Sequence, residues 1–183
     1  MKIQFKYLSL IIIILAVQGN TYVIDPPKNA VWHNEQGLFY MQEGYYYQAA
    51  CEYRLAISLS SNTAATATFY NNLGIVYQRA QKDKWALECF QKAIQMNPNF
   101  LEYYQNMIKV YKTKSMLTTL INKYSKIAKK SNANSKTWLV LGLAYLEMHK
   151  YDEAVICLNK FKKLEPNLLL TEGVDKILDQ FNR

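Results

Sequence analysis

The sequence predicts an all-α protein built as a stack of about four helical hairpins. Glycine and proline are scarce, with six and four residues in 183, while tyrosine occurs 15 times. Half of the residues are hydrophobic and a fifth are charged, which favours one folded domain over a disordered chain. A pattern of apolar and small residues also recurs about every 34 positions, as repeated helical units do.

The repeat is clearest between residues 71–98 and residues 139–166. The matching positions lie 68 residues apart, which is two periods of 34. Within each copy the apolar residues are spaced by three and four, so they share one face of a helix. The identical pairs are Leu73 and Leu141, Gly74 and Gly142, Tyr77 and Tyr145, Ala86 and Ala154, and Pro98 and Pro166.

Two weaker copies complete the series. The first is offset by 37 positions from the second, so three extra residues fall in the loop between them, and the third has Ile108 where the glycine stood. The first copy retains Gly37, Tyr40, Ala49, Tyr53 and Ala56, and the third retains Tyr104, Met107, Tyr111, Leu120 and Tyr124.

The small residues have a physical reason. A glycine inside a helix costs about 1 kcal/mol relative to alanine, so Gly74 and Gly142 indicate a close approach of the two helices of a hairpin. Ala86 and Ala154 are expected to serve the same contact from the second helix. Pro98 then ends that helix.

Together, the Leu-Gly, Tyr, Ala, Phe, Ala and Pro positions resemble the tetratricopeptide-repeat (TPR) family, strongly over residues 67–98 and almost as well over 135–166. The resemblance implies a right-handed superhelical stack over residues 30–167, with repeats near 30–63, 67–100, 101–134 and 135–167. Each hairpin leaves an apolar face that a neighbour must cover. Residues 168–183 carry Val174, Ile177, Leu178 and Phe181 at helical spacing, which predicts a capping helix.

The first 19 residues have the pattern of a secretory signal peptide. Lys2 and Lys6 precede an uninterrupted apolar run at residues 8–17. This run is about half of what a bilayer span requires, so cleavage is expected, although retention as a membrane anchor stays open. Residues 20–29 contain Pro26 and Pro27 and predict an extended linker. The protein is therefore expected to be exported, to the periplasm, the cell envelope or the exterior.

The resemblance also implies that the first helix of each hairpin lines a concave groove that binds a peptide or a partner helix. The groove amides can hold an extended backbone, or they can satisfy neighbouring helices, and the sequence leaves both open. The fourth repeat offers Lys136, Leu139, Leu143 and Leu146 at these positions. The positions in the first three repeats are Asn34, Leu38, Asn71, Asn72, Ile75, Gln78, Gln105, Asn106, Lys109 and Lys112.

Catalytic, metal and cofactor sites are not predicted. His33 and His149 are the only histidines, and they fall at opposite ends of the stack. Cys51, Cys89 and Cys157 lack the spacing of a metal or redox motif and are predicted to be small buried hydrophobic residues. The formal charge of +8 does not by itself indicate a nucleic-acid partner.

Two functional hypotheses follow. The first is a monomeric adaptor that binds a protein or peptide in the groove. The second is a structural envelope protein that self-associates through the tyrosines at the first hairpin turn, Tyr45, Tyr46 and Tyr47. A row of lysines in the third repeat is either a solvated face or a docking patch for an acidic partner. These lysines are Lys123, Lys126, Lys129 and Lys130.

Overall fold

The computed structural model describes residues 26–60, 64–130, 133–165 and 169–181 of the chain. Nine helices and no strand occur in these residues, which confirms the predicted all-α stack. The predicted signal peptide lies outside the described residues. The four hairpins are α1 (Pro26–Gln42) with α2 (Tyr46–Leu59), α3 (Ala64–Arg79) with α4 (Asp83–Met96), α5 (Leu101–Thr113) with α6 (Leu117–Ala128), and α7 (Ser135–Glu147) with α8 (Tyr151–Leu164), followed by α9 (Leu169–Leu178).

The predicted linker is wrong at its C-terminal end, because helix α1 begins at Pro26 instead of after residue 29. The first N–H groups of a helix have no partner within the helix, so a proline there removes no hydrogen bond. Paired prolines exclude a helix interior but not a helix start. The remainder of the predicted linker lies outside the described residues.

Glycine sets the distance between the helices in three of the hairpins. A Cβ atom added to Gly74 would lie 2.6 Å from the ring of Phe90, and one added to Gly142 would lie 2.5 Å from Leu158. Gly37 receives the ring of Tyr53 in the same way. Only glycine leaves room for a large side chain of the second helix to lie against the backbone of the first.

The stack curves because neighbouring first helices are closer together than neighbouring second helices. Helix α3 contacts both α1 and α5, and α5 contacts α7, whereas consecutive second helices make no comparable contact within the described residues. The first helices therefore lie on the inner, concave side. The largest core cluster runs from Ala86 in α4 to Leu178 in α9.

The third hairpin is more open than the others. Ile108 replaces the glycine and is buried, and helices α5 and α6 contact each other over much less of their length than the paired helices elsewhere. A cavity of about 360 Å³ lies between them, lined by Met107 and Tyr124 among others, and it extends to α4 and α7. The degenerate repeat thus keeps its place in the stack while its two helices separate.

Helix α9 covers the C-terminal end of the stack, where the sequence predicts a capping helix. Leu170, Val174 and Leu178 are buried in the main core. Thr171 donates a hydrogen bond to the carbonyl of Glu165 at 2.7 Å, just as Thr66 at the start of α3 donates to Ser60 at 2.6 Å. Helix α9 therefore begins like the first helix of a further repeat. None of the helices described is both long enough and apolar enough to span a bilayer.

Candidate functional site

Hydrogen-bonded asparagines connect the first three inner helices, and we call Asn34, Asn71, Asn72 and Asn106 the amide ladder. Asn72 Nδ2 donates to Asn34 Oδ1 across 2.9 Å, from α3 to α1. Asn106 Nδ2 donates to Asn71 Oδ1 across 3.0 Å, from α5 to α3. In both bonds the donor belongs to the next repeat and lies one residue after the position equivalent to its acceptor. The same contact therefore occurs twice along the stack.

Two residues of the amide ladder, Asn71 and Asn106, are too buried to bind a ligand directly. Asn71 and Asn106 are 2% and 6% exposed, and both donate to Glu102 Oε1 at 3.3 Å. A ligand would reach either amide only by breaking these bonds, which supports the interpretation that this pair joins neighbouring helices. In α7 the corresponding positions hold buried Leu139 and Val140, so the amide ladder ends at α5.

The other predicted groove residues differ in their access to solvent. Leu38 and Ile75 are half-buried and pack against the core. Gln78 and Gln105 are half-buried, and Lys109 is exposed. No ion pair joins Lys109 to another described residue.

A cavity of about 620 Å³ occupies the C-terminal part of the concave face, and we call it the groove pocket. Helices α5 and α7 form its floor, and the end of α9 with the turn before α8 forms its wall. Of the predicted groove residues it brings together Gln105, Leu143 and Leu146. The other lining residues are Ile108, Glu147, His149, Tyr151, Ile177, Gln180 and Phe181.

Two pairs of polar side chains interact at the groove pocket or beside it. Lys112 Nζ lies 2.8 Å from Glu147 Oε2, and His149 Nδ1 lies 2.9 Å from the Tyr151 hydroxyl. Sequence reasoning missed the wall contributed by Ile177 and Phe181, because it assigned those residues only to closing the core. Their helical spacing was the available signal, but it does not tell which of the two surfaces a residue reaches.

The ionisable groups outside the groove do not assemble into a recognisable reactive site. His33 Nδ1 contacts Glu52 Oε2 at 2.7 Å, at the repeat position where Tyr70 and Trp138 stand in later hairpins. Among the described residues, no group of three potential ligands could hold a metal ion. The structure therefore does not contradict the prediction of a non-enzymatic protein, which stays a prediction.

The prediction for the cysteines is correct for two of the three. Cys89 and Cys157 are buried, and burial raises the pKa of Cys89 to about 12 and also raises the pKa of Cys157. Cys51 is exposed, because it lies on the outer face of α2, opposite the residues that contact α1. Of the three tyrosines at the first turn, Tyr46 packs against the N-terminal core, whereas Tyr45 and Tyr47 are exposed.

Comparison with known proteins agrees with this architecture. Residues 67–100 and residues 135–168 each match the tetratricopeptide repeat, and they correspond to the second and fourth hairpins. The uncharacterized protein ycf37 of Porphyra purpurea is 30% identical over 121 residues, which cover 59% of this chain and 70% of that protein. The Photosystem I assembly protein Ycf3 of Synechococcus sp. (strain CC9605) is 29% identical over 84 residues, which cover 46% of this chain and 49% of that protein.

A solved structure shares the fold. The crystal structure of BtubC from P. vanneervenii superposes with a TM-score of 0.55 at 18% identity, covering 88% of this chain and 72% of that one. The repeat matches, the hairpin stack and the glycine contacts agree with one another. The chain belongs to the tetratricopeptide-repeat family.

Proposed function

We propose that this chain is an exported, non-enzymatic scaffold that binds a segment of another protein in the C-terminal half of its concave groove. The groove pocket carries the proposal, because its volume of about 620 Å³ can accept one or two bulky side chains. The amide ladder also favours the C-terminal half of the groove as the binding site. Its buried amides, Asn71 and Asn106, already bind each other and are not exposed to a ligand.

The chemistry of the bound segment follows from the surface beside the pocket. Lys109 comes four residues after Gln105, so both lie on the same face of α5. Its ammonium has no carboxylate partner among the described residues, whereas nearby Lys112 is paired with Glu147. A carboxylate opposite Lys109, with an aliphatic or aromatic side chain in the groove pocket, fits this surface.

Family and sequence support the wider role. TPR domains bind proteins and peptides, and one relative is named for the assembly of Photosystem I. We therefore favour assembly of a multiprotein complex over transport of a small ligand. The basic residues and apolar run of residues 1–19 support export.

A peptide-display library tests the binding site. One set of peptides carries Asp or Glu within four residues of Leu or Phe, and the matched set carries Lys or Arg at the same positions. We expect the acidic set to be selected, and Lys109→Glu to weaken binding at least about tenfold by replacing attraction with repulsion. Leu146→Lys, which places a charge in the groove pocket, should weaken it as well.

The control is Lys126→Glu, which makes the same charge change on the exposed face of α6. Equal losses for the two lysine variants would show that only the net charge of the protein matters. Selection of the basic set, or binding unaffected by both Lys109→Glu and Leu146→Lys, would place the site elsewhere. Export is tested separately by the mass of the purified chain, which should correspond to cleavage near Gly19.

A further inference from the structure

The first hairpin exposes an apolar face at the N-terminal end of the stack. In every later hairpin the equivalent face is covered by the preceding hairpin. Trp32 in α1 stands at the repeat position of Phe69, Tyr103 and Thr137. Those three are at most 4% exposed, whereas Trp32 is 53% exposed. Phe39 is likewise 54% exposed, and the equivalent Val76, Val110 and Ala144 are fully buried.

The later hairpins show what this position normally contacts. Phe69 packs against Ala30 and Ala56, which belong to the preceding hairpin. Tyr103 packs in the same way against Ala67 and Ala93. Trp32 and Phe39 therefore have the side chains of a hairpin-to-hairpin contact, but no hairpin precedes them in the described residues.

Helix α2 extends the apolar character of this first hairpin. Leu55 is 45% exposed, and Tyr47 lies on the same helix face two turns earlier. The equivalents of Leu55 in the later hairpins are all lysines: Lys92, Lys126 and Lys160. A solenoid end without a polar outer face needs a partner to be stable in water.

We propose that a second copy of this chain covers Trp32 and Phe39 of α1 and extends onto Leu55 of α2, in a two-fold dimer with the N-terminal hairpins in contact. Charge favours this partner. Residues 26–60 carry three glutamates and two basic residues, a formal charge of −1, while the whole chain carries +8. Two first hairpins can therefore approach each other with less repulsion than any pairing through the lysine-rich repeats.

The opposite end of the stack argues against head-to-tail association. Helix α9 already closes the C-terminal core, and its outer surface carries the exposed ion pair of Glu172 and Lys176 at 2.9 Å. Leu169 is 70% exposed on this helix, but its other exposed residues, Glu172 and Lys176, are charged, as is Asp179 directly after it. Association through identical surfaces also closes after two copies instead of continuing as a filament.

The available area is sufficient for a weak dimer. Helix α1 has 17 residues, so it is about 25 Å long, and two adjacent helices are roughly 20 Å wide. Each copy thus contributes about 500 Å², and the total of about 1,000 Å² is at the lower limit for a specific interface. We expect dissociation in the micromolar range. The dimer is independent of the proposed groove function, because the two surfaces are at opposite ends of the stack.

Sedimentation of the full chain between about 1 and 100 µM tests the proposal. The wild type should shift from monomer to dimer, and the double variant Trp32→Lys, Phe39→Lys should raise the dissociation constant at least tenfold. Trp85→Lys is the matched control, since Trp85 is 52% exposed on the second hairpin and should leave the dimer unchanged. Leu55→Lys gives the first hairpin the residue that the later ones carry, so it should fold normally and also weaken the dimer.

Three results would overturn the proposal. The first is a wild type that stays monomeric over the whole concentration range. The second is an assembly that persists in both the double variant and Leu55→Lys. The third is equal dissociation by Trp32→Lys, Phe39→Lys and by Trp85→Lys. Peptide binding in the groove should survive in the monomeric variants, which separates this test from that of the proposed function.

Discussion

The second and third hairpins differ at one decisive position, and the difference shows what holds a repeat together. Gly74 lets the ring of Phe90 lie against the backbone of α3, and those two helices contact each other along their length. The equivalent position holds Ile108, and here α5 and α6 contact each other over much less of their length, with a cavity of about 360 Å³ between them. The third hairpin nevertheless stays in register, because α5 is bound to its neighbours α3, α4 and α7. Contact between hairpins can thus replace contact within one.

The largest effect is expected when the second hairpin, whose helices are in close contact, receives the isoleucine of the more open third hairpin. Gly74→Ile places a branched side chain where a single added Cβ already lies 2.6 Å from Phe90. We expect a loss of about 3–5 kcal/mol in the free energy of unfolding, since a full core must separate to admit it. Urea denaturation followed by circular dichroism measures this. Ile108→Val is the control at the same repeat position and should cost only about 1 kcal/mol.

The amide ladder is the next test, because it binds α5 to α3. Asn106→Ala removes the donor to Asn71 and to Glu102, and it leaves the buried Oδ1 atom of Asn71 without that donor, whereas Glu102 is exposed and can bind water. The expected loss in the free energy of unfolding is about 2–3 kcal/mol. Gln105→Ala, an amide truncation at the adjacent and less buried position, should cost less than about 0.5 kcal/mol. Equal losses in the two variants would mean that Asn106 contributes no specific link between the helices.

Two glycine-to-alanine substitutions compare a glycine packed against a fully buried side chain with a glycine packed against a side chain that can move. In a helix, alanine is favoured over glycine by about 1 kcal/mol when space allows. A Cβ on Gly142 would lie 2.5 and 2.6 Å from two atoms of Leu158, which is fully buried, so Gly142→Ala should destabilise by about 1–2 kcal/mol. A Cβ on Gly173 meets closely only the Cδ2 atom of half-buried Leu101, at 2.8 Å. Gly173→Ala should therefore be neutral or stabilise by up to about 1 kcal/mol. In thermal unfolding, the midpoint should fall for Gly142→Ala and should stay the same or rise for Gly173→Ala.

The features of the fold that depend on local sequence periodicity were predicted from the sequence. Glycine, alanine and proline at fixed repeat positions placed the four hairpins, because the hairpin contact restricts side-chain size at those positions. The helical spacing of apolar residues such as Val174 and Leu178 placed the capping helix. The start of α1 at Pro26 was missed, since the first turn of a helix tolerates proline and the sequence does not show where that turn lies. The exposure of Cys51 was missed because its small apolar side chain was taken as evidence of burial.

The candidate site was predicted only in part, for a different reason. Inner-helix residues follow from the repeat register, and Gln105, Leu143 and Leu146, which the register assigns to the groove, line the groove pocket. Their contact with a partner stays a prediction. Whether an amide such as Asn71 is buried depends on the distance between neighbouring hairpins, which no single repeat encodes. The wall formed by Ile177 and Phe181 depends on the path of α9 across the stack, and this is a tertiary property.

The smallest expected effect concerns the open hairpin itself. Ile127 lines the cavity between α5 and α6, and its equivalents are fully buried Ala93 and Phe161. Ile127→Phe should change the free energy of unfolding by less than about 0.5 kcal/mol, or stabilise slightly, because the larger ring enters empty space. The same side chain in the closed hairpin, Ala93→Phe, should cost about 3 kcal/mol because no such space exists there. Urea denaturation of both variants decides the matter: a large loss for Ile127→Phe would mean that the third hairpin is closed in solution.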